Sequence, residues 1–201
     1  MKYIFSAIAF CGLVNLTACQ SNSNTEKAAT ETQETTQPAT AENPHAAGAT
    51  KTPQAPPLAS EAAAQIPAFK FYKVKSGISF TNEDIAKNKN SVFILFDPSC
   101  GHCQHETTNL AQNYSKIKDV NIYFVSMNDP ALMASFLDTF GKELVDKPNI
   151  EVLYDRNQEF IQKFHVPKQF PANYVYGADG SLKSNWDGEK PLDFVLAEFT
   201  K

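Results

Sequence analysis

Two near-continuous apolar runs constrain this chain more than any other feature: Ser91–Phe96 (SVFILF) and Asn121–Ser126 (NIYFVS). Neither alternates polar with apolar residues. A strand of that pattern must be covered on both faces, as in the middle of a parallel sheet with helices above and below. Between the runs, Leu110, Tyr114 and Ile117 recur at spacings of four and three, and Cys103 lies seven residues before Leu110 on the same face. Strand, helix and strand in this order predict a βαβ unit with parallel strands and a right-handed crossover.

The flanking sequence extends that unit. FKFYKV (Phe69–Val74) alternates and reads as a strand, and SFTNEDIAKN predicts a strand end followed by a capped helical turn. Downstream, the pattern predicts a helix over about 130–140, a strand IEVLY (Ile150–Tyr154) and a helix over about 157–164. ANYVYGADGSLKSNW reads as a hairpin turning at Gly177-Ala178-Asp179-Gly180, and a helix over about 191–199 closes the chain. The expected domain is α/β, a central mixed β-sheet flanked by helices, starting at Ile66.

At 201 residues the chain holds one such domain and an appendage. The first residues, MKYIFSAIAFCGLVNLTAC, carry Lys2 and then an apolar run too short to span a bilayer, the pattern of a secretory signal. Leu16-Thr17-Ala18-Cys19 resembles the bacterial lipobox. The resemblance implies that residues 1–19 are a lipoprotein signal peptide ending at a lipidated Cys19, and that acyl chains tie the protein to a membrane. Residues 20–65 are dominated by Ala, Thr, Gln, Glu, Asn, Ser and Pro, with no aromatic residue. Such a segment buries too little apolar surface to offset its ordering entropy. It reads as a disordered linker with an r.m.s. span of roughly 35–40 Å. His45 within it reads as a solvated bystander. A formal charge of −4 and the lack of a basic tract argue against nucleic acid as a partner.

The cysteines then reduce to one pair. Cys11 leaves with the signal and Cys19 takes the lipid, so Cys100 and Cys103 remain, in a compartment that permits disulfides. A tetrahedral zinc would need His102, His105 or His165 at awkward spacing, because no second CxxC exists. A structural staple across two residues closes almost no loop and would constrain little of the unfolded chain. A redox pair has a mechanism. Cys100 stands where a buried strand gives way to a helix, and free N–H groups at a helix start favour a thiolate. Cys103 is one turn in, on the apolar face. Cys100 is therefore the expected attacker and Cys103 the resolver.

Cys100-Gly101-His102-Cys103, preceded by FILF and followed by a helix and NIYFVS, resembles the thioredoxin superfamily. A second pattern supports this independently: FHVPKQFPANYVYGADGSL, with Val166, Pro171, Tyr174, Val175, Asp179 and Gly180 at matching positions. The resemblance covers about Pro67 to the C-terminus and implies a thioredoxin-like fold. It further implies a cis-proline at Pro171, preceded by Phe170, in a loop that faces the dithiol and binds substrate backbone. YDRNQEFIQKFHVPKQFP and Glu106 resemble the TlpA-like membrane-tethered reductases, in which a glutamate at this position tunes the thiols. Departures are plain: His102 replaces the branch's usual Pro, Ser99 its Trp and Thr108 a later Pro, while Ile94 stands where thioredoxin has a buried Asp. Phe93 and Asp97 stand where peroxiredoxins place Pro and Thr, against a peroxidase.

These resemblances imply a thiol–disulfide oxidoreductase of a bacterial envelope, lipid-anchored, its domain facing the periplasm. Its partners would be cysteine-containing exported proteins and an upstream envelope thiol donor or acceptor. No metal or organic cofactor is implied, since the dithiol carries both electrons. Gly101, His102 and Glu106 are the expected tuning residues, and Phe170 and Pro171 the substrate loop. His105 reads as merely exposed, His165 as a helix-end residue and Trp186 as packing. Two alternatives remain: an oxidase or isomerase with the same chemistry, and a binding or chaperone module whose dithiol is incidental.

Overall fold

The structure, a computed structural model, describes residues 56–201. The expected signal peptide, the lipidation of Cys19 and most of the expected linker lie outside the described residues. Seven strands form one sheet: β1 (Lys70–Lys73), β2 (Ser79–Thr81), β3 (Ser91–Leu95), β4 (Asn121–Ser126), β5 (Ile150–Tyr154), β6 (Ala172–Tyr176) and β7 (Leu182–Asp187). Their order is β2-β1-β5-β4-β3-β6-β7. β3, β4 and β5 are mutually parallel, while β1 and β6 join their flanks antiparallel. The helices are α1 (Gly101–Gln112), α2 (Tyr114–Ile117), α3 (Pro130–Phe140), α4 (Glu159–Lys163) and α5 (Leu192–Thr200). No helix among the described residues is long and apolar enough to cross a membrane.

The continuous apolar runs are buried on both faces, as their pattern requires. Along β3, Val92 and Ile94 enter one core cluster and Phe93 and Leu95 the other, and β4 divides Ile122 and Phe124 from Tyr123 and Val125 in the same way. The first cluster takes Cys103, Leu110 and Ala111 from α1, Met133, Phe136 and Leu137 from α3, and Val195, Leu196 and Phe199 from α5. The second is aromatic. Phe69, Phe71, Phe93, Phe160 and Phe164 pack ring on ring with centroids between 4.5 and 6.4 Å apart. Trp186 packs on Phe194 and Phe199, as expected of a packing residue. α3 starts where its sequence directs: Asp129 caps it by accepting the Ala131 amide at 2.7 Å, and Pro130 opens the first turn.

Four local expectations are corrected. The α1 helix breaks at Asn113 instead of running on through Tyr114 and Ile117, and α2 carries those two residues as a separate short turn. The helical turn after β2 does not form. The Thr81 amide and hydroxyl both donate to Asp84 Oδ2, and the Asp84 amide donates to the Thr81 carbonyl in a β-turn, but Asn88 takes a left-handed φ of 69° and the polar run around it offers no apolar face to continue a helix. The helix over 157–164 is shorter, because Gln158 is left-handed and α4 begins at Glu159. The domain starts before Ile66. The Ala59 amide donates to the Ile161 carbonyl, the Ala63 amide to the Phe164 carbonyl, and the Leu182 amide to the Ala64 carbonyl. Residues that read as linker are therefore docked along α4 and the β6–β7 hairpin.

Candidate active site

β3 delivers the dithiol through a tight turn built on Asp97. The Ser99 amide and hydroxyl both donate to Asp97 Oδ1, at 2.8 and 2.7 Å, and the Cys100 amide donates to the Asp97 carbonyl at 3.0 Å. This places Cys100 at the N-cap of α1, in extended backbone, with its own carbonyl accepting the Gln104 amide. Its side chain does not cap the helix, so the sulfur remains available at an end rich in unpaired N–H groups. Opposite it lies the loop before β6. The Phe170–Pro171 peptide is cis, and Cys100 Sγ lies 3.9 Å from the Phe170 carbonyl oxygen.

Cys103 is 1% exposed. Burial drives its thiol far above the ordinary range. The Asp97 backbone works against that shift, and Cys100 and Glu106 add to it. The two sulfurs thus differ as the helix position suggests: one half-buried at the rim, one in the core.

Glu106 comes one turn after Cys103, on the same buried face of α1. Its Oε1 accepts from Asn173 Nδ2 at 3.0 Å, while its Oε2 and Asn173 Oδ1 are both buried without partners. Burial raises the carboxyl to about 7, opposed by the Asn173 bond and assisted by the charge of Glu189. Glu106 is therefore not a solvated helix charge. Asn173 sits directly across from Ile94 in the β3–β6 register. The strand position that holds Asp in thioredoxin is apolar here, and its strand neighbour supplies the buried polar group.

On the outer side, His102 and His105 share one partner that sequence reasoning missed. His102 Nδ1 lies 2.7 Å from Glu189 Oε2, and His105 Nδ1 bonds Glu189 Oε1. His105 is indeed exposed, but it is not idle. The loop carrying Glu189 is tied to the cis-proline loop at two points. The Gly188 amide donates to the Pro171 carbonyl and the Lys168 amide to Asp187 Oδ2, each at 2.8 Å. Gly188 takes a φ of +74°, a left-handed conformation that favours glycine. A groove of about 630 Å³ opens between these parts, lined by Cys100, His102, Gln169, Phe170, Glu189 and Leu192 among others. Gly101 is exposed, and a side chain there would meet nothing within 4 Å, so no packing requires glycine. His165 follows α4 as the expected helix-end residue and meets the Tyr174 hydroxyl at 2.9 Å. Among the described residues no cluster of three or more His, Cys, Asp or Glu side chains is arranged to hold a metal ion.

A Cys-x-x-Cys at the start of a helix, beside a cis-proline that precedes the neighbouring antiparallel strand of a mixed sheet, defines a thioredoxin-like protein. Residues 62–185 match the AhpC/TSA family, and the chain belongs to that family. No curated protein sequence is similar enough to match. Among solved structures, the fold is similar to a secreted Mycobacterium tuberculosis disulfide oxidoreductase homologous to E. coli DsbE, with 22% identity and a TM-score of 0.54 over 65% of this chain and 93% of that one. MTB dsbF is similar at 19% identity and a TM-score of 0.56, over 69% and 97%. Enterococcus faecalis AhpC is similar at 17% identity and a TM-score of 0.54, over 70% and 90%.

Proposed function

We propose that this chain is a thiol–disulfide oxidoreductase of a bacterial envelope, held to the membrane through Cys19 and acting as a reductase on cysteines of other exported proteins. One observation carries the reading: Cys100 Sγ stands at the N-cap of α1, 3.9 Å from the Phe170 carbonyl, with Cys103 buried one turn behind it. That is an accessible attacker and a sheltered resolver beside a groove.

In the first step, the Cys100 thiolate attacks one sulfur of a substrate disulfide. A Cys100–substrate bond forms, the substrate S–S bond breaks, and the electron pair leaves on the second substrate sulfur, which takes up a proton. Cys103 then gives up its proton and attacks Cys100 Sγ; the bond between Cys100 and the substrate breaks, and the substrate sulfur that Cys100 held leaves and takes up a proton. Glu106 is the group the fold offers as acceptor of the Cys103 proton, being ionised in part near neutral pH and on the same buried face. The Cys100–Cys103 disulfide is returned to the dithiol by an external thiol donor, which supplies two electrons and two protons.

The peroxide chemistry suggested by the resemblance to AhpC fits these residues less well. Phe93 is wholly buried in β3 and Asp97 forms the turn, at the two positions where peroxiredoxins place Pro and Thr. Insulin reduction by dithiothreitol, wild type against Cys100→Ser, tests the proposal: the wild type accelerates precipitation and the variant does not. Equal rates would leave a binding module in its place. A wild type that oxidises reduced substrates faster than it reduces oxidised ones would reverse the direction.

A further inference from the structure

We propose that Glu189 is a positioning residue for exchange at Cys100: its carboxylate fixes the proton of His102 on Nδ1, and the bare Nε2 serves the sulfurs in the groove. This deepens the oxidoreductase reading and rests on it.

Donors and acceptors around Glu189 fix the tautomers. Both Glu189 oxygens are engaged by imidazole Nδ1 atoms, one each. An ionised carboxylate only accepts, so each Nδ1 must carry a hydrogen. The hydrogen bond from His102 holds Glu189 below the ordinary carboxyl range, opposed by burial and assisted by His105. The neutral tautomer of both rings is therefore Nδ1–H with Nε2 bare. His105 supports this separately, because its Nε2 lies 3.4 Å from Asn109 Nδ2, a group that can only donate.

The two imidazoles then part company. His105 is held at both nitrogens, by Glu189 and Asn109. His102 is held at Nδ1 alone; its Nε2 has no partner among the described residues, and its side chain is 71% exposed on the groove that Cys100 lines. His105 thus steadies Glu189, Glu189 orients His102, and His102 keeps one basic nitrogen for the substrate. The loop that makes this possible is itself fixed to the cis-proline loop through Gly188 and Asp187. The other titratable groups around the pair are Asp187 at the end of β7, Lys190 on the same loop, Cys100 at the start of α1 and the buried Glu106, which the charge of Glu189 raises; Gln169 and Phe170 face it without charge.

His102 Nε2 takes the proton of the Cys100 thiol, giving thiolate and imidazolium. The thiolate attacks the substrate disulfide, and the leaving substrate sulfur takes the proton back from Nε2. No proton or electron is gained or lost beyond the exchange itself.

Glu189→Gln is the informative variant because an amide has one accepting oxygen and one donating nitrogen. Asn109 continues to hold His105 as Nδ1–H, so the amide oxygen turns to His105 and the NH₂ faces His102. His102 must then bare Nδ1 and carry its hydrogen on Nε2, where it no longer accepts. In the full chain at about pH 8, above the usual imidazole range, ¹⁵N imidazole spectra should show Nδ1–H on both rings in the wild type. Glu189→Gln should switch His102 and leave His105 unchanged. Alkylation of Cys100 should slow about ten-fold, less than the ~10²- to 10⁴-fold of a fully enclosed acid–base group because water reaches this sulfur. Glu189→Asp, which keeps two accepting oxygens, should retain the wild-type tautomers. His102→Gln should show the same loss alone, and adding Glu189→Gln to it should cost less than about two-fold more. An unchanged His102 tautomer in Glu189→Gln, or an undiminished further ten-fold loss when His102 is absent, overturns the proposal. A protein whose Glu189→Gln variant shows the tautomer switch but whose wild type reduces no insulin leaves the positioning standing and removes the enzymatic reading. One that reduces insulin with tautomers indifferent to Glu189 does the reverse.

Discussion

Glu106 and Glu189 approach the same dithiol from opposite sides, and the fold treats them oppositely. Glu106 rises from α1 beneath the pair, 4% exposed, with one amide donor for its two oxygens. Glu189 hangs from the loop after β7 in front of the pair, with a ring nitrogen for each oxygen. Burial lifts Glu106 to about 7, whereas hydrogen bonding lowers Glu189. Identical side chains thus become a carboxyl that exchanges protons near neutrality and a fixed anion that only orients. In the proposed mechanism each serves one sulfur: Glu106 the proposed resolver in the core, Glu189 the proposed attacker at the rim.

Removing the sulfurs is the bluntest way to break this comparison and should have the largest effect. Cys100→Ser should abolish reduction of substrate disulfides. Cys103→Ser should permit the first attack but not its resolution, so that mixed disulfides accumulate on Cys100 and are visible on non-reducing gels. If trapped complexes appear with Cys100→Ser instead, the roles of the two cysteines are reversed, and with them the pairing of each glutamate to a sulfur.

Glu106 should next show itself in stability against pH. Its carboxyl binds a proton more tightly folded than at its ordinary value of 4.5, reaching about 7. The folded state therefore holds more protons than the unfolded state between those values, and stability falls as pH rises through that window. The span corresponds to at most about 3 kcal/mol. Glu106→Gln should remove the slope. Its amide can donate to Asn173 Oδ1 while accepting from Asn173 Nδ2, so both orphaned groups gain partners. Urea titrations at pH values below and above the window should show the variant close to wild type at the low value and more stable at the high one. A wild type as stable at the high value as at the low one would sink the assignment. The same variant should slow release of mixed disulfides, having lost the acceptor for the Cys103 proton.

His102 lies nearer the Glu189 side and should shift the potential by less. An imidazole that favours the Cys100 thiolate stabilises the reduced form and makes the disulfide more oxidising. His102→Pro, at a first-turn position that tolerates proline, should lower the potential by about 30 mV, equivalent to about 1.4 kcal/mol for two electrons. Equilibration against glutathione measures it. A rise in potential would mean that His102 does not favour the Cys100 thiolate and would overturn this role.

Much of this molecule is written locally. The runs SVFILF and NIYFVS became the central strands because a strand buried on both faces has no other pattern, Cys100 and Cys103 were found because they stand three residues apart at a strand end, and Pro171 was found through the family pattern of its own loop. What escaped is what closes over distance. The partners of Glu106 and of His102 and His105 lie 67, 87 and 84 residues away in the chain, and nothing near Asn173 or Glu189 marks them. Asn173 sits inside an apolar strand pattern as an ordinary interruption, and DGEKP after β7 reads as a turn. The missed helix break at Asn113 has a related cause: Tyr114 and Ile117 keep the helical spacing of the apolar face, which the pattern follows even where the backbone does not. Docking of residues 59–65 was hidden by composition, since it uses backbone amides and carbonyls, which every residue carries.

The smallest effect sharpens the comparison most. Glu189→Gln should change thermal stability by only about 0–1 kcal/mol, the range of exposed ion pairs. The two imidazoles it holds have side chains 71% and 63% exposed, so water readily replaces what the carboxylate gave them. Its loop also stays in place without it, fixed by the Gly188 amide on Pro171 and by Asp187 on Lys168. The substitution should therefore be nearly silent in a melt at neutral pH, while Glu106→Gln in the same experiment raises the midpoint. Paired melts of the two variants above pH 7 measure the contrast directly. Should Glu189→Gln destabilise by as much as Glu106→Gln stabilises, Glu189 would be a structural clamp between α1 and the cis-proline loop, and its effect on Cys100 would follow from a displaced groove rather than from an oriented histidine.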